Sequence, residues 1–325
     1  MRSIIHIVTL ALLCHLNAQD NYKHSINGEY VEHSRYTLSY IEEHEQAEWV
    51  YYKLNPNLLR GNTERSNNFR VDFSISTGSA SLNDYKGTGY DRGHLAPAGD
   101  MKDSYISMSN SFFMSNMSPQ VPSFNRGGWK RLESLVRSWA EKDELYIITA
   151  GILKESLSKI GANGVSVPEY FYKVIYVPSS SKMIGFLMPN TKINLDLSYY
   201  AKTVDEIENL TGIDFFYNID DNLEDRLESE LRIDNWDFNL TPSFSIDSSS
   251  SSSVQCKGIA KSTGNRCRNK SKNTNGYCNV HKAQAPDYIP PKKSNYVGRC
   301  YATTKKGTRC KRNASSGSRY CWQHQ

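Results

Sequence analysis

Cysteine is nearly missing from most of this chain: six of the seven cysteines in 325 residues lie beyond position 254, and the seventh is Cys14. No framework of disulfides holds the intervening stretch together, so it must rely on a hydrophobic core. Histidine is as scarce, since His94 stands alone between positions 45 and 280. No internal run approaches the roughly 20 apolar residues of a membrane helix, which excludes internal helical spans. Acid is scarce at one end only. From Val254 onward there are sixteen Lys and Arg and one acid, Asp287, a balance of +15; the totals of 39 and 34 leave 23 basic and 33 acidic residues before it, a balance of −10. The net charge of +5 therefore hides two segments of different kind.

The one long apolar run is N-terminal. In MRSIIHIVTLALLCHLNAQD, Arg2 precedes an apolar stretch from Ile4 to Leu16 that ends at Asn17-Ala18-Gln19. This reads as a signal peptide over 1–18, a retained anchor being the other reading. A lipoprotein would use Cys14, but Leu12 and Leu13 before it are bulkier than such cleavage sites usually accept. The expectation is a secreted or periplasmic protein without stable membrane insertion.

A break falls at PSFSIDSSSSSSV (242–254), whose six consecutive serines bury no apolar area and form a flexible tether. The large domain is expected over 19–241. Beyond the tether the cysteines repeat. Cys256, Cys267, Cys278 and His281 are separated by ten, ten and two residues, and Cys300, Cys310, Cys321 and His324 by nine, ten and two. The repeats span 255–282 and 300–325, with a linker over 283–299. Each offers three thiolates and an imidazole, the tetrahedral donor set of a structural zinc site. Disulfides are the rival in a secreted chain, but an odd number of thiols per repeat and the recurrence of C-x-x-H favour zinc. Basic groups interleaved with Tyr277, Tyr301, Tyr320 and Trp322 suit a polyanion. The ligand is nucleic acid or another anionic surface, a solubilising tail being the plainer alternative.

In the large domain, Tyr36–Tyr40, Trp49–Leu54, Leu145–Ala150, Tyr170–Val177 and Met183–Met188 read as strands from their β-branched and aromatic content. Trp129–Lys142 reads as a helix, with Trp129, Leu132, Leu135, Val136, Trp139 and Ala140 on one arc. Glu133 and Arg137 then form an i, i+4 pair at the border of core and solvent. A second helix is expected over Thr203–Leu210, with Thr203 and Glu206 in capping-box spacing and Gly212 as its stop. These elements predict an α+β fold around a central antiparallel or mixed sheet, with small metal-stabilised repeats after it.

One stretch obeys neither period. GYDRGHLAPAGDM (89–101) crowds Asp91, Arg92 and His94 into four positions. NMSPQ (116–120) follows, and then N-x-x-x-W-x-x-x-E, made by Asn125, Trp129 and Glu133. Together these three ordered motifs resemble the DNA/RNA non-specific endonucleases of the ββα-metal superfamily. The similarity covers roughly Tyr36 to Leu240 and leaves the basic tail outside.

The resemblance implies a role for each residue. His94 matches the general base that takes a proton from the attacking water, and Asn125 the sole direct protein ligand of a catalytic magnesium, with manganese as a substitute. Glu133 matches a carboxylate that accepts hydrogen bonds from metal-bound water. Arg92 and Arg137 match phosphate contacts, and Asn116 a polar group that supports the site. Asp91 is expected to orient the loop, and Gly93 to let the backbone turn. The implied activity is cleavage of DNA and RNA without strong sequence specificity, leaving 5′-phosphates. A silent nucleic-acid binder and a phosphodiesterase for smaller substrates are the other function classes.

Overall fold

The computed structural model of the chain describes residues 22–240 and, beyond them, 254–261, 263–271 and positions 277, 278, 281, 284, 310 and 311. The expected signal peptide, the serine tether up to 253, most of the second linker and Cys300, Cys321 and His324 lie outside the described residues. The chain divides into two compact units, Met1–Pro242 and Ser243–Gln325.

The strands of the first unit, in chain order, are β1 (Glu29–Glu32), β2 (Tyr36–Ile41), β3 (Gln46–Leu54), β4 (Asp91–His94), β5 (Met117–Gln120), β6 (Leu145–Gly151), β7 (Lys159–Ile160), β8 (Val165–Ser166), β9 (Tyr170–Val177), β10 (Lys182–Pro189) and β11 (Ala201–Lys202). Seven of them form one sheet in the order β1-β2-β3-β6-β9-β10-β11. Every neighbouring pair in it is antiparallel, so the mixed alternative does not occur. The β-branched and aromatic runs predicted as strands all lie in it, and β9 has the expected limits. Separate two-stranded ribbons pair β4 with β5 and β7 with β8.

The helices are α1 (Pro56–Leu59), α2 (Leu82–Tyr85), α3 (Tyr105–Asn110), α4 (Lys130–Ala140), α5 (Val204–Thr211) and α6 (Asp221–Ser229). The predicted Trp129–Lys142 helix ends earlier, at Ala140, and starts later, because Phe124–Trp129 forms a wider π-helical turn that runs straight into α4. Such turns aim side chains differently from an α-turn and recur at functional sites. The apolar arc of α4 is buried as its spacing requires. At the start of α5, Thr203 and Glu206 exchange side-chain and backbone hydrogen bonds, and Gly212 ends it with φ of 70°.

Successive strand residues face opposite sides, and β10 uses this to bind two layers. Phe186 stacks on Trp139 of α4, with ring centroids 6.2 Å apart. Its neighbour Gly185 faces α5, where a Cβ would collide with Ile207. Helix α4 therefore covers one face and α5 the other. The central strand β6 is buried along its whole length, as expected of a strand covered on both sides.

Candidate active site

The stretch without an evident period is a strand whose partner lies 23 residues away. In the β4–β5 ribbon, His94 lies opposite Met117, Gly93 opposite Ser118, Arg92 opposite Pro119 and Asp91 opposite Gln120. The backbone does not turn at Gly93, which sits inside β4. It is glycine for another reason: a Cβ there would collide with the Gln120 side chain.

His94 is held by packing. Its ring meets Phe112 edge-on at 4.9 Å and Phe69 at 5.8 Å, and its carbonyl accepts from Trp129 Nε1 at 3.4 Å. Only 8% of the residue is exposed, and Nε2 has no hydrogen-bond partner among the described residues. Burial, reinforced by the Arg65 and Arg92 cations, lowers the imidazole pKa to about 3. The ring is therefore neutral at neutral pH, with a nitrogen lone pair available.

Asn116 is fully buried, and its amide is spent on the backbone just after His94. Oδ1 accepts from the Ala96 N–H at 2.8 Å, while Nδ2 donates to the carbonyls of Ala96 and Ser111, both at 2.9 Å. The Asn116 carbonyl accepts from the Leu95 N–H at 3.0 Å. This geometry clamps the chain that carries His94 and suits the supporting part expected of Asn116.

Asn125 lies in the π-helical turn. Its Nδ2 donates to Asp91 Oδ2 at 2.9 Å, so the carboxylate fixes the sense of the amide and leaves Oδ1 outside that bond. Asp91 is itself gripped by Arg126, whose Nε donates at 2.7 Å. Against the upward push of burial, hydrogen bonds from Arg126 and Asn125 hold the Asp91 carboxyl below its usual range.

Glu133 and Arg137 do not form the border ion pair expected from their spacing. Arg137 Nη1 instead pairs with Asp100 Oδ1 at 2.8 Å, and Nη2 donates to Ser134 at 3.1 Å. The almost fully buried Asp100 carboxylate accepts the bond from Arg137, together with one from the Tyr52 hydroxyl at 3.1 Å. Glu133 is left with no hydrogen bond or ion pair among the described residues, and burial raises its pKa to about 7, Arg137 opposing and Asp100 adding to the shift. Beneath the cluster, on β9, sits Lys173. It is fully buried with no partner for Nζ, which lies 4.9 Å from the centre of the Trp129 ring. Burial lowers its pKa to about 8, against the pull of Glu133 and Asp100.

Arg92 lies over the Phe69 ring at 4.2 Å, and Arg65 over Phe112 at 4.8 Å. The field of Arg65 reaches both His94 and Glu133, so the base candidate and the carboxylate flank one cation. Arg65, Asp100 and Lys173 were not singled out from sequence. Asp100 lies inside the 89–101 motif, whereas Arg65 and Lys173 carry no local signal.

Residues 16–222 match the family described as DNA/RNA non-specific endonuclease. The chain belongs to this family. It is 36% identical over 213 residues to a nuclease of Nostoc sp., an alignment covering 61% of this chain and 77% of that one. Mitochondrial endonuclease G of Bos taurus is 33% identical over 202 residues, with 57% and 68% covered. Among solved structures, endonuclease G in complex with its inhibitor EndoGI is similar at a TM-score of 0.55 and 33% identity, covering 59% of this chain and 87% of that one. The chain is thus a nuclease, a hydrolase acting on nucleic acid.

The second unit of this endonuclease family member lies beyond the family match. Cys256, Cys267, Cys278 and His281 are all buried, and their ligand atoms lie within 4.8 Å of one another. Cys256 Sγ is 3.7 Å and Cys278 Sγ 3.3 Å from His281 Nδ1, and Cys267 Sγ is 4.0 Å from Cys278 Sγ. A tetrahedron with Zn–S near ~2.3 Å and Zn–N near ~2.0 Å has edges of roughly 3.5–3.8 Å; a disulfide needs about 2.0 Å between sulfurs. Backbone N–H groups of Gly258, Asn269 and Cys278 point at the sulfurs of Cys256, Cys267 and Cys256 respectively, as suits thiolates. Of the second repeat, Cys310 is buried, and its companions fall outside the described residues.

Proposed function

We propose that the chain is a secreted, magnesium-dependent endonuclease that hydrolyses DNA and RNA, with neutral His94 as the general base. The observation that carries this reading is the buried, unpartnered Nε2 of His94 between two arginines. Burial is the larger cause of the lowered imidazole pKa; a phosphodiester docked on Arg65 and Arg92 would offset the smaller, cationic part and so raise the basicity of His94. His94 then takes a proton from water as the water oxygen bonds to phosphorus and the bond to the 3′ oxygen breaks. The departing 3′ oxygen takes a proton from solvent water, so the products carry a 5′-phosphate and a 3′-hydroxyl. Contacts with phosphate carry no base information, which accounts for weak sequence specificity.

The residues fit a hard cation. Asn125 offers an amide oxygen, its orientation set by Asp91, and the unpaired Glu133 carboxylate is free to hold a metal-bound water. When bound, magnesium would stabilise charge on the phosphate and the departing oxygen. Arg137, anchored by Asp100, stiffens the floor of the site and keeps part of its guanidinium for phosphate.

In the tail, the distances of the first repeat support structural zinc on Cys256, Cys267, Cys278 and His281. The same donor set is proposed for Cys300, Cys310, Cys321 and His324. The +15 tail would supply the polyanion affinity that the −10 remainder of the chain lacks. Incubation with supercoiled plasmid and magnesium tests the whole reading. Nicking is expected; retardation without nicking would make the protein a silent binder, and the absence of both would redirect attention to smaller phosphodiesters.

A further inference from the structure

On the face of the sheet away from α4, α5 meets α6 and gathers carboxylates that the nuclease reaction does not use. Asp205 and Glu208 are three residues apart on α5 and so share a side. One oxygen from each, together with one from Glu228 of α6, lies within 4.8 Å of the others. Glu228 is only 6% exposed, and its Oε1 has no hydrogen-bond partner. Burying an ionised carboxylate without a counter-charge is strongly unfavourable. Yet the charged groups that act most on Glu228 among the described residues are other acids: Glu208, Glu224, Asp205 and Asp214. Lys202, just before α5, is engaged by Glu206. An open pocket of about 300 Å³, lined in part by Asp205, Glu208, Asn209 and Asp214, lies beside the two α5 carboxylates of the cluster.

We propose that Asp205, Glu208 and Glu228 bind a divalent cation of the calcium type, joining α5 to α6 at a site separate from the active site. Oxygen-only donors specify a hard ion, and several flexible carboxylates suit calcium, which tolerates varied geometry and bidentate ligation. Magnesium favours fewer carboxylates and keeps more water. Glu208 Oε1 already accepts from the Phe215 N–H at 2.6 Å, which fixes that side chain and leaves its second oxygen for the ion. The ion would take the place of the proton that Glu228 otherwise keeps in the fold.

Calorimetric titration of calcium chloride into the full chain, at saturating magnesium so that the active site is supplied, tests the assignment. The wild type is expected to take up one calcium per chain. Glu228→Gln and Asp205→Asn should bind it at least ~10-fold more weakly, each having lost one charged ligand. Both variants should retain wild-type plasmid cleavage. In thermal melts calcium should raise the wild-type Tm, whereas Glu228→Gln should start higher without calcium and fail to respond. Absence of calcium uptake by the wild type at millimolar concentration, or equal uptake by all three proteins, would overturn the proposal. Should Glu228→Gln fail to fold, the partly exposed Asp205→Asn decides alone.

Discussion

Replacing Asn116 by leucine separates positioning from chemistry. Leucine nearly matches asparagine in size, so the change removes hydrogen bonds without opening a large cavity. It strands three buried backbone groups: the Ala96 N–H, the Ala96 carbonyl and the Ser111 carbonyl. Ala96 and Ser111 are both fully buried, so water cannot readily replace the lost partner. At about 1–2 kcal/mol for each unsatisfied group, the loss is about 3–6 kcal/mol. That is a large part of the roughly 5–15 kcal/mol that stabilises a folded domain. Urea denaturation followed by tryptophan fluorescence reads it directly, because four of the five tryptophans precede residue 242. Asn116→Asp should also destabilise, since it keeps the acceptor for Ala96 but turns an oxygen toward two carbonyls. A loss below ~1 kcal/mol for Asn116→Leu would refute the clamp.

Asn125→Ala should raise the magnesium needed for half-maximal cleavage or abolish activity, whereas an unchanged magnesium curve would locate the ion elsewhere. Burial and the surrounding acids push Glu228 up to about 9, so the folded state keeps a proton that the unfolded chain has already released. Its contribution to stability is present at low pH and lost as pH rises through that value. The Tm advantage of Glu228→Gln in calcium-free buffer should accordingly widen between about pH 6 and pH 9, and a gap independent of pH would contradict the burial argument. Elemental analysis of the chain from Gln19 onward should find two zinc ions, with its six thiols reactive once the metal is chelated and the chain unfolded. No zinc and no free thiols would restore the disulfide alternative. Ending the chain near Pro242 should reduce the salt dependence of binding to long DNA, because fewer cations then displace counterions; an unaltered slope would remove the anchoring role.

What the sequence disclosed was mostly local. Tyr170–Val177 announced itself because seven of its eight residues are β-branched or aromatic and favour a strand, and α4 because its apolar arc repeats within eleven residues. Asp91, Arg92, His94, Asn125 and Glu133 were legible because they fall within two short ordered segments. β4 escaped notice because its partner, β5, is supplied by the fold rather than by any alternation of its own. Arg137 was assigned the wrong partner because helical spacing brings Glu133 near, while the buried Asp100 comes from a 3-10 turn at the end of the 89–101 motif, 37 positions earlier in the chain. Lys173 in YFYKVIYV would ordinarily mark the solvent face of a strand; only the assembled layers put it under Trp129 and Glu133. Buried charge depends on what covers it, and that information is tertiary.

The claim on which the account most depends is that His94, with its unpartnered nitrogen, removes the proton from water. Initial rates of supercoiled plasmid nicking by His94→Ala, with magnesium saturating and the melting curve matched to wild type, test it most directly. The account predicts a fall of at least ~100-fold, within the usual range for loss of a general base. A folded variant that keeps more than about a tenth of the wild-type rate would contradict it, since that loss is too small for a group moving the proton.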